Sequence, residues 1–382
     1  MPNRMFVDKP TVKQHGTPRS MSTQKKGPKT QAPSLRNKVI FSIIILAVIL
    51  ALAEVLTRSL LSRPGYILFP PEQPEGLLIP HPEREYAYAP NFEGKMIAQD
   101  YSVSIKTNSI GLRDAMLDSL VPVSILAVGN SFTAGFGVEQ AEAWPAQLQA
   151  RLTNKKRVLN AGVSGYGLRQ IRQHIEELLP IVQPEALIVG VYASRYWRVE
   201  SPYTYFNGMA VGKNSIADIR LVNDGMLVSP FKTPWLRKLD IWLDEHFYFG
   251  AHLIKVYHNM RRSIVRKRQR AVPPEPHILK PIVRPLLEEL AEIDALSKQF
   301  ETDLLVLLVN HQETDGSFSL LEQNYNAVVK AYCDSLQMNY FDPLPKMAAQ
   351  ASGRPIFRFP NDHHWSAAAH SFVAEKIVEV LF

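Results

Sequence analysis

Ser124-Ile125-Leu126-Ala127-Val128-Gly129-Asn130-Ser131-Phe132-Thr133 decides the architecture. Ser124–Val128 is a short continuous apolar run, without the alternation of a strand that has one wet face. It reads as a strand covered on both sides that ends at Gly129 in a sharp turn, with a helix expected over Ala143–Leu152. The same unit recurs outward along the chain. Val158–Asn160 is a second short strand, followed by a glycine-rich turn and an amphipathic helix over Leu168–Leu179. Ala186–Val191 is a third strand, Leu304–Val309 a fourth and Asn339–Asp342 a fifth, with helices over Leu286–Phe300, Gln323–Leu336 and Ala367–Val380. Buried strands interleaved with helices predict an α/β fold, a doubly wound parallel sheet.

Two stretches break this rhythm. Residues 196–285 form an insertion rich in aromatic residues, with Leu253, Val256, Tyr257, Met260 and Ile264 at helical spacing. Its aromatics read as core before they read as a sugar platform, and the basic run Arg261–Arg270 reads as a solvated helix face before a headgroup or glycan contact. Residues 59–92 read as a linker, with prolines at 64, 70, 71, 74, 80, 82 and 90, and the α/β domain is expected over 93–382. Within it, Tyr101–Ile105 alternates like a strand.

The net charge of +7 resembles a nucleic-acid signal until it is divided along the chain. Residues 1–38 hold nine Lys/Arg and one acid, so the rest of the chain is near neutral and nucleic acid is not an expected partner. The tail, poor in large apolar residues, is expected to be disordered and cytoplasmic. From Val39 to Ala53 there are fifteen residues without a charge, and 39–58 predicts one transmembrane helix in contact with membrane lipid. Lys25, Lys26, Lys29, Arg36 and Lys38 flank its start, against Arg58 and Arg63 at its end, so the positive-inside rule places the body across the bacterial inner membrane. The competing reading is a signal peptide cleaved after Ala51-Leu52-Ala53. A single cysteine, Cys333, allows no internal disulfide and no cysteine zinc site.

In doubly wound sheets, ligands gather beyond the carboxyl ends of the strands. Gly129–Thr133 falls there, as does Asn160–Gly167, where Gly162, Gly165 and Gly167 imply a backbone that another group approaches closely. Asn361-Asp362-His363-His364-Trp365-Ser366 precedes the last helix. A carboxylate near an imidazole fixes its tautomer and leaves the other ring nitrogen for a nucleophile. A serine, a histidine, an aspartate and glycine N–H groups suit acyl transfer through a covalent intermediate. The chain has no Gly-x-Ser-x-Gly elbow and no phosphate-cradling glycine loop, so no nucleotide or other cofactor is expected. Asp362, His363, His364 and His370 could be read as metal ligands, but the six-residue step from His364 to His370 does not share a helix face, and no metal is expected. His311 sits at the same edge, as a polar loop residue or a substrate contact.

These blocks resemble the SGNH, or GDSL-like, hydrolases, particularly their membrane-anchored bacterial members. Ile125–Gly137 is similar to the family's nucleophile block, Leu159–Gly167 to its glycine block and Asp362–His370 to its terminal block. Thr107–Asp114 and Glu139–Leu152 resemble segments common in the anchored members. The resemblance implies a flavodoxin-like sheet, with Ser131 as nucleophile, His364 as base, Asp362 as its orienter and Gly165 as an oxyanion donor. Three departures stand out. Asn130 replaces the usual aspartate, and the orienter's usual place, three residues before the base, is held by Asn361. The third block reads Gly190-Val191-Tyr192-Ala193-Ser194-Arg195, without the expected asparagine, so Ser194 or Arg195 is the candidate replacement donor. The function expected is therefore a serine esterase or O-acyltransferase acting on O-acyl, foremost acetyl, esters of envelope carbohydrate or glycolipid. The competing expectation is a catalytically degenerate binding or assembly protein for surface polysaccharide.

Overall fold

Strands with no polar face need a layer on each side, and in the computed structural model they have one. The structure describes residues 34–67, 72–115, 122–152, 156–192, 199–214, 219–222, 225–229, 231, 233–269 and 274–381. The chain divides into two units, residues 1–56 and 57–382. The first contains most of helix α1 (Leu35–Leu60), which is long and apolar enough to cross a membrane. It starts four residues earlier than expected, and the expected tail up to residue 33 lies outside the described residues.

In the second unit, β1 (Tyr66–Ile67) is followed by two antiparallel hairpins, β2–β3 (Leu78–His81, Glu85–Tyr88) and β4–β5 (Glu93–Ile97, Ser102–Lys106). Then come β6 (Val123–Gly129), α2 (Ser131–Ala134), α3 (Trp144–Arg151), β7 (Arg157–Gly162), α4 (Leu168–Val182) and β8 (Ala186–Val191). The insertion contributes β9–β10 (Tyr203–Phe206, Met209–Gly212), β11–β12 (Arg220–Val222, Gly225–Leu227), α5 (Pro234–His246) and α6 (Tyr248–Gln269). The chain closes with α7 (Pro276–Gln299), β13 (Asp303–Leu308), α8 (Leu320–Leu336), β14 (Asn339–Phe341), α9 (Leu344–Ala351) and α10 (Ala367–Leu381).

The five expected strands form one parallel sheet in the order β14-β13-β8-β6-β7. Counted along the chain, this is the doubly wound order 2-1-3-4-5, whose crevice opens where β6 and β8 lead their connections to opposite sides. Ile171, Leu179, Leu290 and Val329 cover one face from α4, α7 and α8, while Leu148, Met347 and Val373 cover the other from α3, α9 and α10. Each side chain so buried contributes roughly 1.5–3 kcal/mol.

The structure departs from the sequence reading in three places. Helix α7 begins at Pro276, not near Leu286, and runs through Pro281 and Pro285, so the insertion is shorter than expected. Leu279, Val283 and Leu286 bury one stripe along this helix, which offsets the backbone hydrogen bonds that the prolines cannot make. Residues 78–88, within the stretch read as linker, form a hairpin in which Leu78, Tyr86 and Tyr88 join the core. The basic run Arg261–Arg270 begins inside α6, but the side chains of residues 262–270 lie outside the described residues.

Candidate functional site

Helix α2 starts where β6 ends and is only one turn long, so Ser131 at its first position lies over the crevice. Asn130 caps this turn, its Oδ1 accepting the Phe132 N–H at 3.1 Å. That explains why asparagine serves where aspartate is usual: either offers the capping oxygen. Glycine is needed beneath the turn. A Cβ on Gly162 would run into the backbone of Thr133 and Ala134, and one on Gly129 or Gly190 would meet the Thr133 hydroxyl. The ends of β6, β7 and β8 are thus pared back for α2 to settle on them.

Arg113 fixes the loop after α2. Buried, it donates from Nη1 to the carbonyls of Ala134 (2.9 Å) and Gly135, and from Nη2 to those of Val138 (2.7 Å) and Ser104 (3.0 Å). Its neighbour Asp114 accepts the Asn160 N–H at 2.6 Å, tying the same segment to the glycine block. The Thr107–Asp114 motif therefore works as a brace between the two blocks rather than as a contact for a ligand.

The terminal block meets Ser131 from 233 positions away. His364 Nε2 lies 2.9 Å from Ser131 Oγ, and His364 Nδ1 lies 2.7 Å from Asp362 Oδ1, which also accepts the His364 backbone N–H at 3.0 Å. In this arrangement Nδ1–H donates to the carboxylate and Nε2 accepts from the serine hydroxyl. Burial opposes charge on Asp362, but the hydrogen bond and attraction from His364 win and hold the carboxyl well below its usual range. Tyr101 adds its hydroxyl to Asp362 Oδ2 at 3.3 Å. Phe136 lies against the His364 ring, with centroids 4.5 Å apart. Ser131 is buried.

Asn361 is turned elsewhere. Its backbone N–H and Nδ2 both bind the carboxylate of Asp100, at 2.6 and 2.7 Å. Of the two residues the sequence offers as orienter, Asp362 has the geometry.

Gly165 lines the same cavity as Ser131 and His364, with φ +85°, and a Cβ there would collide with the Tyr86 hydroxyl. The turn is held from β3 by two phenols that sequence reading missed. Tyr86 donates to the Ser164 carbonyl at 3.0 Å, and Tyr88 donates to Ser164 Oγ at 2.8 Å while accepting the Ser164 N–H at 3.0 Å. The only signal for them was the spacing Tyr86-Ala87-Tyr88, which places both on one face of a strand. The cavity, about 160 Å³, has walls of Leu77, Leu78, Tyr86, Tyr88, Met96, Phe136, Tyr203 and Ala210. Among the described residues that line it, Glu72 is the one carboxylate and none is Lys or Arg.

Tyr192 is the last described residue before the third block's Ala193, Ser194 and Arg195, which lie outside the described residues. Its hydroxyl and Glu322 Oε1 each lie 2.6 Å from His311 Nδ1. Burial opposes a charge on His311, but Glu313 and Glu322 outweigh it and raise the imidazole to about 9. His311 thus carries a proton that its unfolded counterpart releases near 6.5. Its stabilising contribution is complete below pH 6.5 and is lost as pH rises toward 9. Urea unfolding should show a loss on the order of 2–3 kcal/mol across that window, and His311→Gln should flatten the slope. An unchanged slope in the variant would refute a charged His311.

Asp362, His363 and His364 bring ligand atoms within 4.8 Å of one another, the described residues' one such cluster. Both nitrogens of His364 already have partners, so a metal would have to break the contacts to Ser131 or Asp362. His370 does not join them. It is buried, accepts the Trp144 N–H on Nδ1 at 3.1 Å, and is pushed down to about 3 by burial.

A hydroxyl hydrogen-bonded to an imidazole, which is in turn oriented by an ionised carboxylate, is an arrangement able to deliver a serine nucleophile. No family model and no curated protein matches the chain. Solved structures to which the chain is similar include TesA, at 14% identity over 68% of this chain and 97% of that one, with a TM-score of 0.39. A member of the lipolytic protein G-D-S-L family from Veillonella parvula matches at 12% identity over 68% and 98%, with a TM-score of 0.37. An acetylxylan esterase from Geobacillus stearothermophilus matches at 13% identity over 68% and 94%, with a TM-score of 0.37. Likeness of this degree leaves the question of activity to the geometry of Ser131, His364 and Asp362.

Proposed function

We propose that the protein is a serine acyl hydrolase or acyltransferase of SGNH type, acting on O-acyl esters of envelope carbohydrate. The observation that carries the proposal is the continuous path from Ser131 Oγ through His364 to Asp362, at 2.9 and 2.7 Å, opening into a cavity beside Gly165. In the first step Ser131 Oγ bonds to the acyl carbon while its proton passes to His364 Nε2. Asp362 stabilises the resulting imidazolium. Backbone N–H groups of Ser131 and Gly165 are the donors suited to the oxyanion. The C–O bond then breaks, and Nε2 returns the proton to the departing alcohol. Water or an acceptor hydroxyl reverses these steps on the acyl-serine, giving hydrolysis or transfer respectively.

Among the described residues the cavity wall carries no Lys or Arg and has Glu72 as a carboxylate, which favours a neutral ester over a phosphate or carboxylate near the scissile bond. Carbohydrate as the alcohol follows from the sequence resemblance together with the Lys/Arg bias around α1, which favours a body outside the cytoplasm and a cytoplasmic N-terminus.

A fluorophosphonate should label the full-length protein, and peptide mapping should place the adduct on Ser131. Release of free acid, or acyl appearance on an added sugar, then separates hydrolysis from transfer. A protein that is neither labelled nor able to turn over simple aryl esters would overturn the enzyme reading and favour a binding or assembly role.

A further inference from the structure

Helix α5 is amphipathic in the inverted sense. The face it turns inward carries Arg237, Asp240, Ile241 and Asp244, and the face it turns outward carries Trp235, Leu239 and Trp242. The buried acids are held by the neighbouring helix: Lys255 Nζ sits 2.7 and 2.8 Å from the two oxygens of Asp244 and 3.7 Å from Asp240 Oδ1. Helix α6 repeats the outward pattern with Leu253, Val256, Tyr257 and Met260 at the i, i+3, i+4, i+7 spacing of one stripe. These seven apolar side chains are between 39% and 63–64% exposed, whereas the aromatics of this insertion were expected in a core. Exposed apolar stripes of this kind on two helices that pack together mark a place where something other than water is met.

Two observations identify what is met. The first is where the chain enters this unit. Arg58, two residues beyond Leu56, donates to the His246 carbonyl at 3.0 Å and lies 4.3 Å over the Tyr248 ring. Arg63 donates to the Tyr248 hydroxyl at 2.5 Å, and His252 Nε2 lies 3.2 Å from the Ser62 carbonyl. The junction of α5 and α6 is therefore held by the residues that leave the apolar run of α1, where a spanning helix reaches the headgroups. The second is composition. Tryptophan and tyrosine are the residues that settle at a membrane–water interface, and in the sequence the stripe is followed by the basic run Arg261–Arg270, a composition suited to anionic headgroups.

We infer that the outward faces of α5 and α6 form a second, peripheral membrane contact, lying in the interface of an anionic bilayer with Trp235 and Trp242 among the acyl chains. This contact is separate from the span of α1 and independent of the reaction at Ser131. Helices of this composition bind through buried apolar area and attraction to anionic lipid together.

The test uses the full-length chain in nanodiscs of phosphatidylglycerol and phosphatidylcholine, the latter either ordinary or brominated high in the acyl chain. Of the five tryptophans, Trp144 and Trp365 are buried in the α/β core and α1 has none. Brominated lipid should quench up to about two-fifths of the emission, the share carried by two of five equally bright tryptophans at the interface. The double variant Trp235→Phe, Trp242→Phe should lose that quenching with its thermal unfolding unchanged, because both sites are exposed. Adding Tyr257→Trp to the double variant should restore quenching from α6. Equal emission in the two lipids, or quenching that survives the double variant, would overturn the inference. So would a dimer in detergent that the double variant dissociates, because a second copy would then cover the face.

Discussion

Ser131→Ala lowers ester turnover by about 10⁴-fold or more, the loss expected when a nucleophile is removed and only transition-state binding remains. Its stability should move by no more than about 1 kcal/mol, because the change removes one hydroxyl and its hydrogen bond to His364 and leaves the turn's cap at Asn130 in place. Fluorophosphonate labelling should vanish with the activity. The informative comparison is the unfolding midpoint against turnover in the same preparation. Labelling that persists in the variant would move the nucleophile away from Ser131 and end the proposed mechanism.

Asp362→Asn should be nearly as damaging, with turnover falling by about 10³–10⁴-fold, because an amide can donate to Nδ1 and so stabilise the wrong imidazole tautomer. Asn361→Asp should change turnover by less than about threefold, since residue 361 faces Asp100 and not the imidazole. A carboxylate there would repel Asp100 and reveal itself as a modest loss of stability. If Asn361→Asp rescued Asp362→Asn, the orienting position would be interchangeable. If Asp362→Asn alone left turnover intact, His364 would not need an orienter.

Much of this was legible in the sequence because it is local. A buried parallel strand is a run of apolar residues, and the five runs from Ser124–Val128 to Asn339–Asp342 became the five strands of the sheet. Each block of the site follows a strand or precedes the last helix, and the resemblance of these blocks to SGNH hydrolases named Ser131, Gly165, Asp362 and His364 as candidates. What could not be read is tertiary. Tyr86 and Tyr88 sit in a proline-rich stretch whose composition reads as linker, and only the fold places them under Ser164. The choice between Asn361 and Asp362 depends on Asp100, which is 261 positions away. The spacing on α6 was visible, but which side faced out was not: buried acids on α5, paired with Lys255, reverse the usual rule that the apolar face goes inward.

The phenol braces and the imidazole lie at opposite ends of the body. Tyr88 is 76 positions ahead of the serine it supports, and His364 is 233 positions behind the hydroxyl it contacts. A ribosome delivers these pieces in order, so β6 to β8 and the Gly165 turn are synthesised long before His364, which lines the same cavity. Until then Ser131 has no imidazole beside it. The proposed chemistry would wait for the segment around His364 to dock and for α10 to cover the sheet. On the proposed mechanism, a chain cut anywhere before His364 would keep Ser131 and lose the imidazole that activates it, so a nick or frameshift in the terminal block would leave a protein that cannot attack esters.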